Sequence, residues 1–463
     1  MKIKFKGQGS KVNSQWSMKQ GNDRLSAIDY RPMLFWFIFL ALAFFCPRVS
    51  ASGISALEPI VKDDRILILA PHPDDEAIAC AGVIQEALKK GARIKIVYLT
   101  NGDHNQLAFI VYEKRLVFRK GEFIHMGEVR RQEAQKAMAG LGLKPENLIF
   151  LGYPDFGTFA MFTRYWASQK PFKSLLTRMT KVPYPENYSY GRDYTPRNIL
   201  SDLEDIIENY RPNKIFVSHP ADTNGDHRSF NLFLSVAMWN LEGKIPLPKI
   251  YAYLVHHTDW PLPRKYHPEL DMSAPEDLKD AGRWLSFGLS PEAIERKYNA
   301  IGEYKSQTES SAFYLFSFAR KNELFQRLPR LKIDSSSTPH PVSSAEYALK
   351  DNYLEILCTH PADNHDVSRM RVYVFGYRED IAFGDMPKIF IKVNTNSLIV
   401  FDGRKRLEEA KVELLSKGRN ALIRIPLALL NNPRQALISA RIFSNAAPYA
   451  QGIWIQAKLE RKK

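Results

Sequence analysis

The chain has 463 residues, 45% hydrophobic and 25% charged, which fits a globular protein with room for two or three domains and excludes a disordered or fibrous one. Its formal charge of +15 is unevenly placed. Residues 327–463 carry 22 Lys/Arg against 14 Asp/Glu, while residues 51–326 are nearly balanced, at 35 against 34. A neutral middle argues against nucleic acid as its substrate; the basic end leaves room for an anionic surface or glycan contact there. Three cysteines, Cys46, Cys80 and Cys358, exclude both a disulfide framework and a cysteine-built zinc site.

Taken in chain order, residues 33–46 (MLFWFIFLALAFFC) form an unbroken apolar run after a basic stretch. The small residues of Val49-Ser50-Ala51 predict signal-peptide cleavage after Ala51, with an uncleaved anchor as the alternative. Either way the bulk of the chain is expected outside the cytoplasm: periplasmic, secreted or membrane-anchored.

The middle alternates strand and helix. RILILA (65–70), RIKIVYLT (93–100), NLIFLG (147–152) and KIFVSH (214–219) read as buried strands. EAIACAGVIQEALKKG (76–91), residues 128–142 and residues 199–212 read as helices between them. Strands apolar on both faces, alternating with helices, predict a Rossmann-like, doubly wound and mostly parallel α/β sheet. Residues 104–127 and 156–197, rich in aromatics, interrupt the pattern and are expected to wall a site. Residues 327–347 read as a Ser/Pro linker after a first domain over 55–326. From 348 to 463, short β-branched runs separated by turn residues predict a smaller all-β, sandwich-like domain.

Polar residues gather where the strands end. His72-Pro73-Asp74-Asp75-Glu76 follows the first, Asn101-Gly102-Asp103 the second and Tyr153-Pro154-Asp155 the third. His219, Asp222, Asp226 and His227 follow the fourth. In an open parallel sheet these ends share one edge, where ligands bind. Imidazole with carboxylate suits zinc, iron or manganese. His72 and Asp75, three apart across a loop-to-helix turn, can face one ion, with His227 as a third ligand from the far loop. Asp74 then points elsewhere, free to hold a water, and Glu76 supports the helix start. Asp103 and Asp155, at the same edge, are candidate substrate contacts.

APHPDDEAIACAG (70–82), LTNGD (99–103), RRQEAQKAMAGLGL (130–143), LGYPD (151–155), HPADTNGDHRS (219–229) and KYNAIGEYKSQ (297–307) occur in this order. Together they resemble the LmbE/PIG-L zinc-dependent deacetylases over about residues 62–310. That resemblance implies hydrolysis of the acetyl group from N-acetylglucosamine-type sugars. It implies Zn2+ held by His72, Asp75 and His227, Asp74 as general base, and Arg130 on the substrate. One departure stands out. Many members have His-Pro-Asp-His where this chain has Asn224-Gly225-Asp226-His227. Asn224 can donate to an oxyanion but cannot shuttle a proton, so the acid step would fall to His219 or Asp74. The alternative is a non-catalytic glycan-binding or cell-surface protein that keeps the fold.

Overall fold

The computed structural model describes residues 54–104, 120–334, 340–342, 345–359, 369–394, 397–444, 447–448 and 452–460. The leader, residues 1–51, and most of the first aromatic insert lie outside these. Among the described residues no helix is long and apolar enough to cross a membrane.

The first sheet begins as the hydrophobic runs predict. Strands β2 (Arg65–Ala70), β3 (Arg93–Thr100), β4 (Leu148–Tyr153), β5 (Lys214–Ser218) and β6 (Lys249–Tyr253) are all parallel, in the order β4-β3-β2-β5-β6. Neighbours change direction of progression at β2, whose partners are β3 on one side and β5 on the other. The crevice between β2 and β5 is thus the topological switch point, where such sheets bind ligands. Strands β7 (Arg283–Gly288) and β8 (Asn322–Arg327) extend the sheet antiparallel beyond β6, and β1 (Ser55–Ala56) closes that edge. The Rossmann-like, mostly parallel architecture is therefore present, with an antiparallel margin.

Helix α1 (Asp75–Lys90) follows β2 directly. Its apolar face is buried, with acidic residues in the first turn and lysines in the last, and Gly91 closes it in the left-handed conformation. Glu323 of β8 reaches this helix, accepting from the Gly82 and Val83 amides and from Lys297, with both charged groups 1% exposed. The other helices are α2 (Lys120–Leu141), α3 (Thr158–Arg164), α4 (Pro196–Tyr210), α5 (Gly225–Asn240), α6 (Pro291–Gly302) and α7 (Lys305–Leu315).

Two sheets make the C-terminal part. One runs β10 (His340–Val342), β11 (Ala345–Lys350), β12 (Tyr353–Thr359), β18 (Asn420–Pro426), β17 (Glu413–Lys417). The other runs β16 (Lys405–Leu407), β15 (Ser397–Asp402), β14 (Lys388–Asn394), β13 (Arg369–Tyr377), β19 (Gln435–Ser444), β21 (Ile455–Glu460), β9 (Arg330–Asp334), with the short β20 (Ala447–Pro448) paired to β19 beside it. Met370, Val372 and Val374 of β13 share a core with Ile356, Ile423 and Ile425 of the facing sheet, which makes the predicted sandwich.

The stretch read as a linker contains β9 and β10: Arg330–Asp334 pairs in parallel with β21, so the chain passes from one sheet to another through Leu328-Pro329. The described residues also pack as one compact unit. The opposite face of β13, through Phe375 and Tyr377, joins Leu437 and Trp454 in a core with Phe162, Trp166, Phe233 and Trp239 from α3, α5 and the turn after α3. Ring pairs cross this boundary at 5.9 Å (Phe162–Phe375) and 4.9 Å (Trp239–Tyr377).

Candidate metal centre

The loop after β2 puts His72 at the switch point. Asp74 precedes α1 with a φ of +130°, a backbone region that non-glycine residues rarely adopt. Neighbours hold it there. Its amide donates to Glu76 Oε2 (3.1 Å), and Arg130 Nη2 donates to its Oδ2 (3.1 Å) and to the Pro73 carbonyl (2.7 Å). Strain of this kind costs roughly 1–3 kcal/mol and persists only where the surroundings over-determine it. The result is that Asp74 turns toward the cleft while Asp75 turns inward.

His227 enters from the first turn of α5, across the crevice. Asn224 caps that helix, its Oδ1 accepting from the Asp226 amide at 2.8 Å. Three ligand-type atoms then converge: His72 Nδ1 to Asp75 Oδ2 3.3 Å, His227 Nε2 to Asp75 Oδ2 3.2 Å, and His227 Nε2 to His72 Nδ1 3.3 Å. Three donors ~2.0–2.1 Å from one ion at tetrahedral angles would stand ~3.3–3.4 Å apart, so this triangle fits one face of a tetrahedral site. Asp75 Oδ1, buried beside it, has no hydrogen-bond partner.

Each histidine is steered from behind. His72 Nε2 lies 3.2 Å from Asp155 Oδ1 and 3.4 Å from Asp226 Oδ2, and His227 Nδ1 lies 3.1 Å from Asp222 Oδ2. Carboxylates on the far ring nitrogens are the usual support of metal-binding histidines, fixing tautomer and orientation. The other two His/Asp groups among the described residues, Asp222–His227–His256 and His72–Asp155–Asp226, share these rings through those far nitrogens. They form the outer layer of the same centre.

The charges follow from the packing. Burial would raise the Asp75 carboxyl, but His227 and His72 hold it well below the usual range. Burial would lower His227, but Asp222 and Asp75 raise it to about 9. Asp74 is pushed up to about 6, by burial first and by Asp75, against the pull of Arg130. Burial also pushes Glu76 up to about 8, and its Oε1 accepts from Tyr304 Oη of the α6–α7 connection.

A cleft of about 400 Å³ opens over this centre, lined by His72, Asp74, Asp75, His104, Arg130, Asp155, Phe156, Asn224, His256, Gln307 and Tyr314 among others. Several sequence assignments shift once the side chains are placed. His219 lies behind the centre, fully buried: the Ala221 amide donates to Nδ1 (3.0 Å), and Nε2 hydrogen-bonds the side-chain amide of Gln326 (2.6 Å). With both nitrogens occupied and no access to the cleft, it cannot serve a substrate. Asp103 also turns away, accepting from Tyr184 Oη at 2.6 Å, and burial pushes its carboxyl up to about 7. Asp155 reaches the cleft wall, but its oxygens are spent on His72 and the His104 amide (2.9 Å). Arg130 is 3% exposed and anchors Asp74 and Gly102. Gly102 has a φ of +69°, and a Cβ there would fall 2.1 Å from Arg130 Nη1. The second aromatic insert mostly packs inward: Tyr184, Tyr194 and Trp166 are buried, and Phe156 alone among its aromatics lines the cleft.

The sequence reading missed His256. It follows β6, lines the cleft, sets its Nδ1 3.4 Å from Asp222 Oδ1 and its ring edge-on to His227 at 4.6 Å. The rule that located the other residues, polar groups at the end of a parallel strand, applies to Val255-His256-His257 as well, once KIYAY is read as a fifth strand.

Residues 67–238 match the family described as PIG-L: GlcNAc-PI de-N-acetylase. The chain is 26% identical over 210 residues to an N-acetylglucosaminyl-phosphatidylinositol de-N-acetylase of Arthroderma benhamiae, covering 40% of this chain and 60% of that one. It is 29% identical over 118 residues to a 1D-myo-inositol 2-acetamido-2-deoxy-alpha-D-glucopyranoside deacetylase of a Mycobacterium species, covering 24% and 37%. The chain thus spans less than two thirds of the length of these relatives. Among solved structures, N,N'-diacetylchitobiose deacetylase from Pyrococcus horikoshii aligns over 66% of this chain and 94% of that one, with 17% identity and a TM-score of 0.36. Over residues 67–238, a little over a third of its length, the chain is similar to the PIG-L family.

Proposed function

We propose that the chain is a metal-dependent de-N-acetylase acting on N-acetylglucosamine-type sugars outside the cytoplasm. The observation that carries this reading is the triangle of His72 Nδ1, Asp75 Oδ2 and His227 Nε2 at 3.2–3.3 Å, open to a cleft that also holds an unliganded carboxylate, Asp74. Two histidines, one carboxylate and a free position suit a catalytic zinc ion. A bound divalent ion would supply Lewis-acid activation of water and of the amide carbonyl.

The remaining steps belong to the chain. Asp74, fixed by Arg130 and by its strained backbone, takes the proton from the attacking water. Asn224 has spent its Oδ1 on the helix cap, which leaves Nδ2 to donate toward the oxyanion. His256, backed by Asp222, delivers a proton to the departing amine, the role that the neighbouring asparagine cannot fill. Phe156, 61% exposed at the cleft mouth, offers a flat face to a sugar ring. Export of the bulk of the chain is supported by the apolar run at 33–46 and the small residues after it; protease accessibility in intact cells tests it.

The direct experiment is acetate release from N-acetylglucosamine oligomers by the full chain, with and without chelator. Release that stops on metal removal and returns with zinc is the expected result. Asp74→Asn should keep the metal and lose turnover. No release from any N-acetylglucosamine oligomer by the zinc-loaded chain, or release untouched by chelation, refutes the reading.

A further inference from the structure

The β13 face that seals the C-terminal part against α3 and α5 runs on past that contact. Beyond buried Phe375 and Tyr377, the same face presents half-buried Tyr373 and Arg371, then exposed Arg369. Strand pairing aligns the neighbours. Phe390 stands opposite Tyr373 and Lys392 opposite Arg371 on β14, while Arg441 stands opposite Arg371 and Phe443 opposite Arg369 on β19. Rows on one face of a sheet repeat about every 7 Å.

One row is aromatic: Phe401–Phe390 at 5.8 Å, Phe390–Tyr373 at 4.6 Å and Tyr373–Trp454 at 5.3 Å. The next is cationic, with Lys392, Arg371 and Arg441 side by side on three strands. Beyond it the Phe443 ring lies 5.5 Å from the Arg371 guanidinium and 5.9 Å from that of Arg441. Like charges placed directly opposite destabilise a sheet. Yet among the described residues no carboxylate forms an ion pair with any of the three.

A fourth cation arrives from the other side. Arg228 of α5 lays its guanidinium 4.8 Å from the Phe159 ring, and Phe159 stands 6.4 Å from Tyr373 and 6.3 Å from Trp454. Arg228 Nε is buried without a hydrogen-bond partner. Phe159 and Arg228 follow Phe156 and Asn224 of the cleft wall by three and four residues. Phe159 and Arg228 therefore stand between the cleft wall and the aromatic row of the C-terminal sheet.

We propose that this face is a subsite for an acidic glycan. Sugar rings stack on half-buried Tyr373 and Phe390, and carboxylates of alternating acidic sugars pair with Arg371 and Arg441, beside Arg228. Arginine suits this task because its planar fork matches a carboxylate. The excess of 22 basic over 14 acidic residues in 327–463 gives the surroundings the complementary sign. The inference rests on the de-N-acetylase reading of the cleft, since it supplies the rest of that substrate.

Binding is measured separately from turnover. The probes are a hyaluronan octasaccharide, in which N-acetylglucosamine alternates with glucuronate, and neutral chitohexaose. The full chain should bind the acidic probe about tenfold more tightly, two partly exposed ion pairs being worth roughly 1.4 kcal/mol together. That preference should shrink as salt rises and vanish in Arg371→Gln/Arg441→Gln with its melting temperature retained. Equal affinity of the unaltered chain for both probes overturns the proposal, as does a preference that survives the double substitution. Tighter binding to phosphatidylglycerol vesicles than to the glycan overturns it too, giving the face to a membrane. Acidic-probe preference without acetate release from any N-acetylated sugar supports the subsite and sinks the cleft reading alone.

Discussion

Asp222→Asn is the sharpest probe of the centre because that carboxylate sits behind two histidines at once. It is fully buried, with Oδ2 3.1 Å from His227 Nδ1 and Oδ1 3.4 Å from His256 Nδ1. Both oxygens also accept backbone amides: Oδ1 from Asn224 (2.9 Å), Oδ2 from Val255 (3.2 Å) and His256 (2.9 Å). An amide nitrogen placed at either end would therefore face an N–H donor. One buried amide loses its partner, at a cost of about 1–3 kcal/mol in stability. The charge that makes His227 a better ligand is lost as well. Removing such a supporting carboxylate weakens metal binding by about 10–100-fold, or roughly 1.4–2.7 kcal/mol. Chelator competition reads the metal affinity, and thermal melting with and without zinc reads the linked stability. A folded Asp222→Asn protein whose zinc affinity stays within about twofold of the parent would refute the reasoning, because His227 would then not depend on the carboxylate at its back.

His256→Ala should lower kcat by about 10²–10⁴-fold with the metal retained; unchanged kcat would remove His256 from the proton path. Burial holds the His219 imidazole down to about 4, against about 6.5 in an unfolded chain. The unfolded state thus takes up a proton that the folded state refuses below pH 6.5, so stability present above 6.5 is lost as pH falls toward 4. Between pH 7.5 and 5 the parent should lose about 2 kcal/mol more than His219→Gln. Urea unfolding at the two pH values checks this, and identical losses would refute it. Glu323→Gln leaves Lys297 buried without its counter-charge and should cost about 3–5 kcal/mol in urea unfolding; a loss below about 1 kcal/mol would show that Lys297 finds another partner.

The parallel core was legible because its strands are apolar on both faces and alternate with amphipathic helices, the first closed by Gly91. Two corners of the His72–Asp75–His227 triangle were legible because His72 and Asp75 are bound by local geometry, three apart across one turn. What the sequence could not show is which way a side chain faces at a strand end. His219 follows β5 directly, yet its ring turns under β8 to Gln326, and Asp103 turns past Gly102 toward Tyr184. β8 is antiparallel and its Gln326 lies 107 residues downstream, so nothing near His219 announces its partner. The all-β part was recognisable by its short runs, but its burial against α3 and α5 was not. That contact depends on Phe375, Tyr377 and Trp454 facing outward from their own sandwich, which only the strand register reveals.

In the proposed mechanism the asparagine at position 224 changes how the proton work is divided. A histidine there could both donate to an oxyanion and exchange protons, whereas Asn224 gives Oδ1 to the helix that carries His227 and retains only a non-titrating donor. Besides His72, two imidazoles line the cleft among the described residues, His104 and His256. His104 has its ring against Phe156 at 5.2 Å, and no carboxylate stands behind it within ion-pair distance among the described residues. His256 has Asp222, the same carboxylate that orients His227. In the proposed mechanism one buried charge therefore serves the ligand and the proton donor together. This makes a distinct demand on the variants: Asp222→Asn should reduce turnover even at saturating zinc, because His256 loses its orientation along with His227. Restoration of full kcat in Asp222→Asn by excess metal would separate the two functions and leave the amine's proton to Asp74.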